Sequence, residues 1–201
     1  MKSEETFIFV VWNSILDTRP KILLHRCPFP TTLRASAMSN VSGIIVSPAP
    51  NYGRSWGCPP FRFDVGEYFA EYTSALLVAT KITPLVPNLP ISDSMTLIRT
   101  ERIRLEQRLL EMEHQYDGRA FTYVGSCLYC PKGTCTRTDG KPCRHPDLVR
   151  PSLEACGFDI VRTTSELFGI ELKWGEEGRL PEYLTLVCGF FHNADNAIWN
   201  G

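Results

Sequence analysis

The sequence has no dominant charge: 21 Lys and Arg stand against 22 Asp and Glu, leaving a formal net charge of -1 and a pI near 6.4. That balance argues against a nucleic-acid partner and against binding to an anionic membrane. Long apolar runs are missing as well. The longest, such as residues 7–12, fall far short of the roughly 20 residues that cross a bilayer. Glu4 and Glu5 precede that run, where an export signal would begin with basic residues, so the expected location is cytoplasmic. There is no phosphate-binding loop, dinucleotide glycine pattern, nucleophile elbow or zinc-protease helix, and no internal repeat. The commonest enzyme signatures are thereby removed.

What is present is ordinary in all but one respect. A chain of 201 residues, 43% hydrophobic, suits a single layered globular domain. The exception is eight cysteines. In a reducing compartment clustered thiols are ligands or nucleophiles rather than disulfides. Four of them, Cys127, Cys130, Cys135 and Cys143, fall in one short stretch, while Cys27, Cys58, Cys156 and Cys188 are scattered.

Residues 1–50 are poorly readable, with short strands suggested only at 7–12 and 41–46. From Asn51 the pattern is clearer, and 51–201 reads as the metal-binding domain. Paired prolines and glycines make 51–60 a loop. A short helix is expected at 67–73 and a buried strand at 75–82. A long helix, capped by Asp93 or Ser94, should run to about Tyr116, with Ile98, Leu105, Leu109 and Met112 facing the core. Its Glu101, Glu106, Glu111 and Glu113, alternating with arginines, read as a solvated face. Asp117-Gly118 should stop that helix. Strands at 119–124 and 183–191, a short helix from Pro151 to Cys156 and a capping box at Thr163-Thr-Ser-Glu166 complete the reading. Helices and strands alternate, so the expected class is α/β, with α+β as the alternative, built on a mixed sheet.

The central motif is Cys127-Leu-Tyr-Cys130-Pro-Lys-Gly-Thr-Cys135-Thr-Arg-Thr-Asp-Gly-Lys-Pro-Cys143-Arg-His-Pro146. A C-x2-C step lets two thiolates bind one centre, and Gly133, Gly140, Pro131 and Pro142 allow tight turns around it. Four cysteines satisfy both a structural zinc and a [4Fe–4S] cluster. Lys132, Arg137, Lys141 and Arg144 face only Asp139, a collar suited to the roughly two negative charges of either group. Zinc modules usually carry two C-x2-C knuckles, and this loop has one. An iron–sulfur cluster therefore leads, zinc is the alternative, and simple packing of four thiols in so polar a loop comes last. Cys58, in its Trp-Gly-Cys-Pro-Pro turn, is a candidate further ligand. His145 could hydrogen-bond a sulfur but reads better as a polar loop residue, and Cys156 and Cys188 read as core.

These segments resemble a family of uncharacterised prokaryotic proteins predicted to bind metal through a cysteine-rich domain of unknown function. The resemblance rests on Asn51-Tyr-Gly-Arg-Ser-Trp-Gly-Cys-Pro-Pro-Phe61, the cysteine loop, Arg150-Pro-Ser-Leu-Glu-Ala155, Gly157-Phe-Asp-Ile160, Gly169-Ile-Glu-Leu-Lys-Trp174 and Leu180-Pro-Glu-Tyr-Leu-Thr-Leu186. It implies metal binding and supplies no reaction. Relatives tend to carry further cysteines ahead of Asn51, where this chain has Val46-Ser-Pro-Ala-Pro50. The functional expectation is a redox or accessory protein with one cluster and a redox partner protein. A zinc-stapled interaction module, or an enzyme using the metal as a Lewis acid, are the competing readings.

Overall fold

Ala75-Leu-Leu-Val-Ala79 is the kind of unbroken apolar run that only a strand covered on both faces can bury. In the computed structural model, which describes residues 9–11, 18–28, 51–122 and 127–194, it forms the middle of β3. The element order is β1 (Phe9–Val11), β2 (Thr18–Pro28), α1 (Val65–Ala70), β3 (Ser74–Pro84), α2 (Ser94–Gln115), β4 (Gly118–Phe121), α3 (Ile160–Phe168) and β5 (Leu184–His192). The sheet order is β1-β2-β3-β5-β4, and every pairing is antiparallel. Of the two expected classes the fold is therefore α+β, with an antiparallel sheet where a mixed one was anticipated.

The period-2 alternation of a strand sorts the core into two layers. Leu76, Val78 and Ile82 of β3, with Leu186, Cys188 and Phe190 of β5, face α2 and meet Ile98, Leu105, Leu109 and Met112. Ala75, Leu77 and Ala79, with Val187 and Phe191, face the other way, against Phe69 of α1, Phe168 of α3 and Leu153, Cys156 and Phe158. Cys156 and Cys188 are buried in these layers, as expected. Each of the large apolar side chains contributes about 1.5–3 kcal/mol on burial.

Several boundaries differ from expectation, each for a local reason. The short helix starts at Val65 because Asp64 accepts the Glu67 N–H at 2.8 Å and caps it there. Asp159 likewise caps α3, accepting from Arg162 N–H at 3.0 Å, so Thr163 lies inside the helix and donates back to the Asp159 carbonyl at 2.7 Å. Asp93 occupies the N-cap position of α2 but makes no side-chain cap bond. The expected Pro151 helix is reduced to a single 3-10 turn, Glu154–Cys156, closed by Gly157 at φ 90. Gly118 opens β4 instead of capping a helix, since a Cβ there would lie 2.4 Å from Phe190 Cζ and 2.6 Å from the Phe191 carbonyl oxygen. Strand β2 was not anticipated, and the strand expected at 41–46 lies outside the described residues.

Candidate metal centre

The cysteine loop is laid along α2 and tied to it near both ends. At the C-x2-C step, the Tyr129 hydroxyl donates to Glu106 Oε1 at 2.9 Å. Beyond the loop, Arg150 Nε donates to Glu113 Oε1 at 2.7 Å, and its Nη2 donates to Glu113 Oε2 at 2.5 Å. The carboxylates of α2 are thus not all solvated. Glu101, Arg102 and Glu106 are buried, Arg102 to 1% exposure. Glu101 bonds Thr80 at 3.0 Å and holds Arg104 through two contacts of 2.8 Å. Burial pushes the Glu106 carboxyl above its ordinary range, against the lowering effect of the Tyr129 hydrogen bond and of Arg102.

Within the loop, tight turns set the spacing of the thiols. Pro131 accepts from the Thr134 N–H at 3.1 Å around Gly133 at φ 80. Cys135 then precedes a 3-10 turn, Thr136–Asp139, closed by Gly140 at φ 68. Thr136 Oγ1 donates to the Pro142 carbonyl at 2.8 Å and brings the chain back before Cys143. The His145 backbone N–H donates to Cys143 Sγ at 3.4 Å, and Arg144 Nη1 to Cys130 Sγ at 3.7 Å. His145 therefore reaches a sulfur through its backbone, while its ring lies 5.7 Å from that of Tyr129.

The 51–60 loop is clamped against the same turns. Arg137 donates to Ser55 O at 2.6 Å and also to the carbonyls of Cys58 and Pro60. Its guanidinium carbon lies 5.2 Å from the centre of the Trp56 ring. This clamp brings Cys58 to the cysteine loop. Burial raises the Cys58 thiol pKa, Ser55 and Arg137 oppose that, and the Cys127 and Cys135 thiols add to it. Burial likewise raises the pKa of Cys143, the His145 N–H opposes, and Cys127, Cys135 and Cys130 add to the rise. Five half-buried thiols are therefore gathered in one region, and none of the five is in a disulfide.

Cys127, Cys130, Cys135 and Cys143 line one cavity of about 1020 Å³. Among the described residues, no three Cys, His, Asp or Glu side chains are drawn into a shell around a single ion. An all-sulfur donor set with guanidiniums beside it fits a thiolate-bound metal group. A second, mainly apolar cavity of about 750 Å³ includes Cys156, whose thiol pKa burial raises strongly. That thiol is suited to packing rather than ligation.

An α+β domain with a cysteine-lined cavity defines a candidate metal protein. Residues 48–188 match the family described as predicted metal-binding protein (DUF2284), and the chain belongs to that family. Neither a curated protein nor a solved structure matches the chain. Among the described residues no helix is long and apolar enough to cross a membrane.

Sequence reasoning missed the roles of Glu106 and Arg137. On α2 the signal lay at Arg102, whose charge acts on Glu106. Ile98, Arg102, Leu105, Leu109 and Met112 follow a four-three-four-three spacing, so a charged residue sits on the apolar stripe of α2 and needs buried partners. Arg137 as a clamp had none, because its acceptors are backbone carbonyls far away in sequence.

Proposed function

We propose that the chain holds one iron–sulfur cluster, of the [4Fe–4S] type, through Cys127, Cys130, Cys135 and Cys143, and has a redox or accessory role. The observation that carries this reading is the placing of all four loop thiols on one cavity, with a guanidinium at Cys130 Sγ and a backbone N–H at Cys143 Sγ. Zinc would gather four sulfurs at about 2.3 Å from one centre. A [4Fe–4S] cluster takes one thiolate at each of four irons, and a loop with one C-x2-C step followed by single cysteines suits it better than it suits zinc, whose modules usually carry two such steps. When bound, such a group supplies one-electron transfer. Arg144 and Arg137 offset the negative charge of the thiolates, and the His145 N–H on Cys143 Sγ favours the more reduced state.

Clustered cysteines that are not joined by disulfides support a reducing, cytoplasmic setting, and the partner expected is an electron-exchanging protein. The open cavity beside the thiols favours a second reading, in which the metal group acts as a Lewis acid on a bound molecule. Anaerobic purification followed by iron, zinc and acid-labile sulfide analysis tests the proposal. A brown protein with broad visible absorption that bleaches on reduction is the expected result. Colourless protein with stoichiometric zinc and no sulfide would replace it with a zinc-stapled interaction module.

A further inference from the structure

The cavity at the cysteines has no Asp or Glu among its described lining residues, yet three cationic side chains reach it from three separate segments. Arg54 comes from the 51–60 loop, Arg99 from the start of α2, and Lys132 from the turn after Cys130. All three are exposed, and their side chains make no ion pair or hydrogen bond with any described residue. Trp56 also lines the cavity, and its indole N–H is buried without an acceptor. An indole N–H can only donate.

Charge balance at the thiols does not account for these groups. Four thiolates on a metal group leave about two negative charges. Two other guanidiniums already stand there: Arg144 contacts Cys130 Sγ, and Arg137 is held at the Cys58 backbone. Three further cations around one concavity repel each other until an anion enters. Arginine is suited to this task because its planar fork matches the oxygens of phosphate and carboxylate. The recess is also of the size that encloses a small molecule, whereas a protein partner would meet a flatter face.

We propose that this cavity binds a small anionic molecule, bearing phosphate or carboxylate groups, against Arg54, Arg99 and Lys132 beside the cysteines. The proposal deepens the reading above by giving the site a ligand class, and it rests on that reading only for the metal being the ligand's neighbour.

The test is calorimetric titration of the anaerobically purified protein at low ionic strength. Inorganic phosphate and succinate, run separately, distinguish the two anion chemistries. Saturable binding of at least one, weakened about tenfold by Arg99→Gln and by Lys132→Gln, is expected from the loss of a charge-assisted contact. Arg162→Gln, which removes an exposed arginine paired with Glu166 on α3, should leave it unchanged. No saturable uptake of either anion overturns the proposal in favour of an acidic macromolecule at the collar, and equal weakening in Arg162→Gln overturns it as non-specific screening. Metal content is measured on the same samples. Anion binding without metal would sink the metal reading and leave the anion site standing; metal without anion binding would do the reverse.

Discussion

The Arg137 guanidinium donates to the backbone carbonyl oxygen of Cys58, so a turn inside the cysteine loop holds a cysteine 79 residues away in sequence. The same side chain takes the carbonyls of Ser55 and Pro60, and its cation lies over Trp56. Arg137→Ala should therefore lower stability by about 1.5–3 kcal/mol, the range for hydrogen bonds from a charged group. It should also speed alkylation of Cys58 relative to Cys156, read by mass spectrometry of labelled peptides. Arg137→Lys should not restore protection, because an ammonium cannot span three carbonyls as a planar fork does. Unchanged labelling of Cys58 would mean that the clamp does not position it.

Gly118 is fixed by space rather than by backbone angle. A Cβ there would lie within 3 Å of Phe190 Cζ, the Phe191 carbonyl oxygen and His192 Cβ, so β4 could not approach β5. Gly118→Ala is expected to destabilise the protein by about 1–3 kcal/mol through overpacking. Urea unfolding at neutral pH measures it, and a variant as stable as the parent would show that β4 can shift freely.

Such cases mark where the sequence was legible. The long helix and strands β3 and β5 were readable from their apolar residues, and the burial of Ile98, Leu105, Leu109 and Met112 follows the helical period. Asp117-Gly118 misled because a glycine that ends a helix and one that lets strands touch look alike in one dimension. Glu106 misled because alternating charges suggest a solvated face, and only the fold brings Tyr129 and Thr122 to it. The clustering of four cysteines was plain from spacing. That Cys58 joins them depends on contacts to backbone carbonyls, which no side-chain pattern encodes.

Glu106 gives the stability a pH dependence with a definite sign. Burial raises its carboxyl pKa in the folded state, so just above the ordinary carboxylate range the folded chain holds a proton that the unfolded chain has lost. Stability from this group is fully present below the unfolded value and is lost as pH rises through the folded one. Glu106→Gln keeps an acceptor for Tyr129 and removes the titration. The stability of the variant relative to the parent should therefore increase as pH rises from about 4.5 toward neutrality. Denaturant midpoints of both proteins, prepared metal-free, test this across that range. A difference that stays flat would show that Glu106 is better solvated than its position implies.

The cysteines divide into two sets that a single experiment can separate. Cys127, Cys130, Cys135 and Cys143 are half-buried around one cavity, and Cys143 lies within electrostatic reach of the other three. Cys156 and Cys188 are packed in opposite core layers, and burial disfavours the thiolate that a metal requires. Serine in place of any loop cysteine should abolish or strongly weaken metal retention, because an alkoxide is a poor ligand for a soft metal. Alanine at Cys156 or Cys188 should remove packing worth about 1 kcal/mol and leave the metal in place. Cys58→Ser is the informative variant between the sets. Its thiol acts on Cys127 and Cys135 but lies outside the loop, so partial retention with altered visible absorption is expected. The decisive quantity is metal per folded chain across the seven variants. Full occupancy in Cys143→Ser together with loss in Cys58→Ser would move the fourth ligand from the loop to the clamped segment at Cys58.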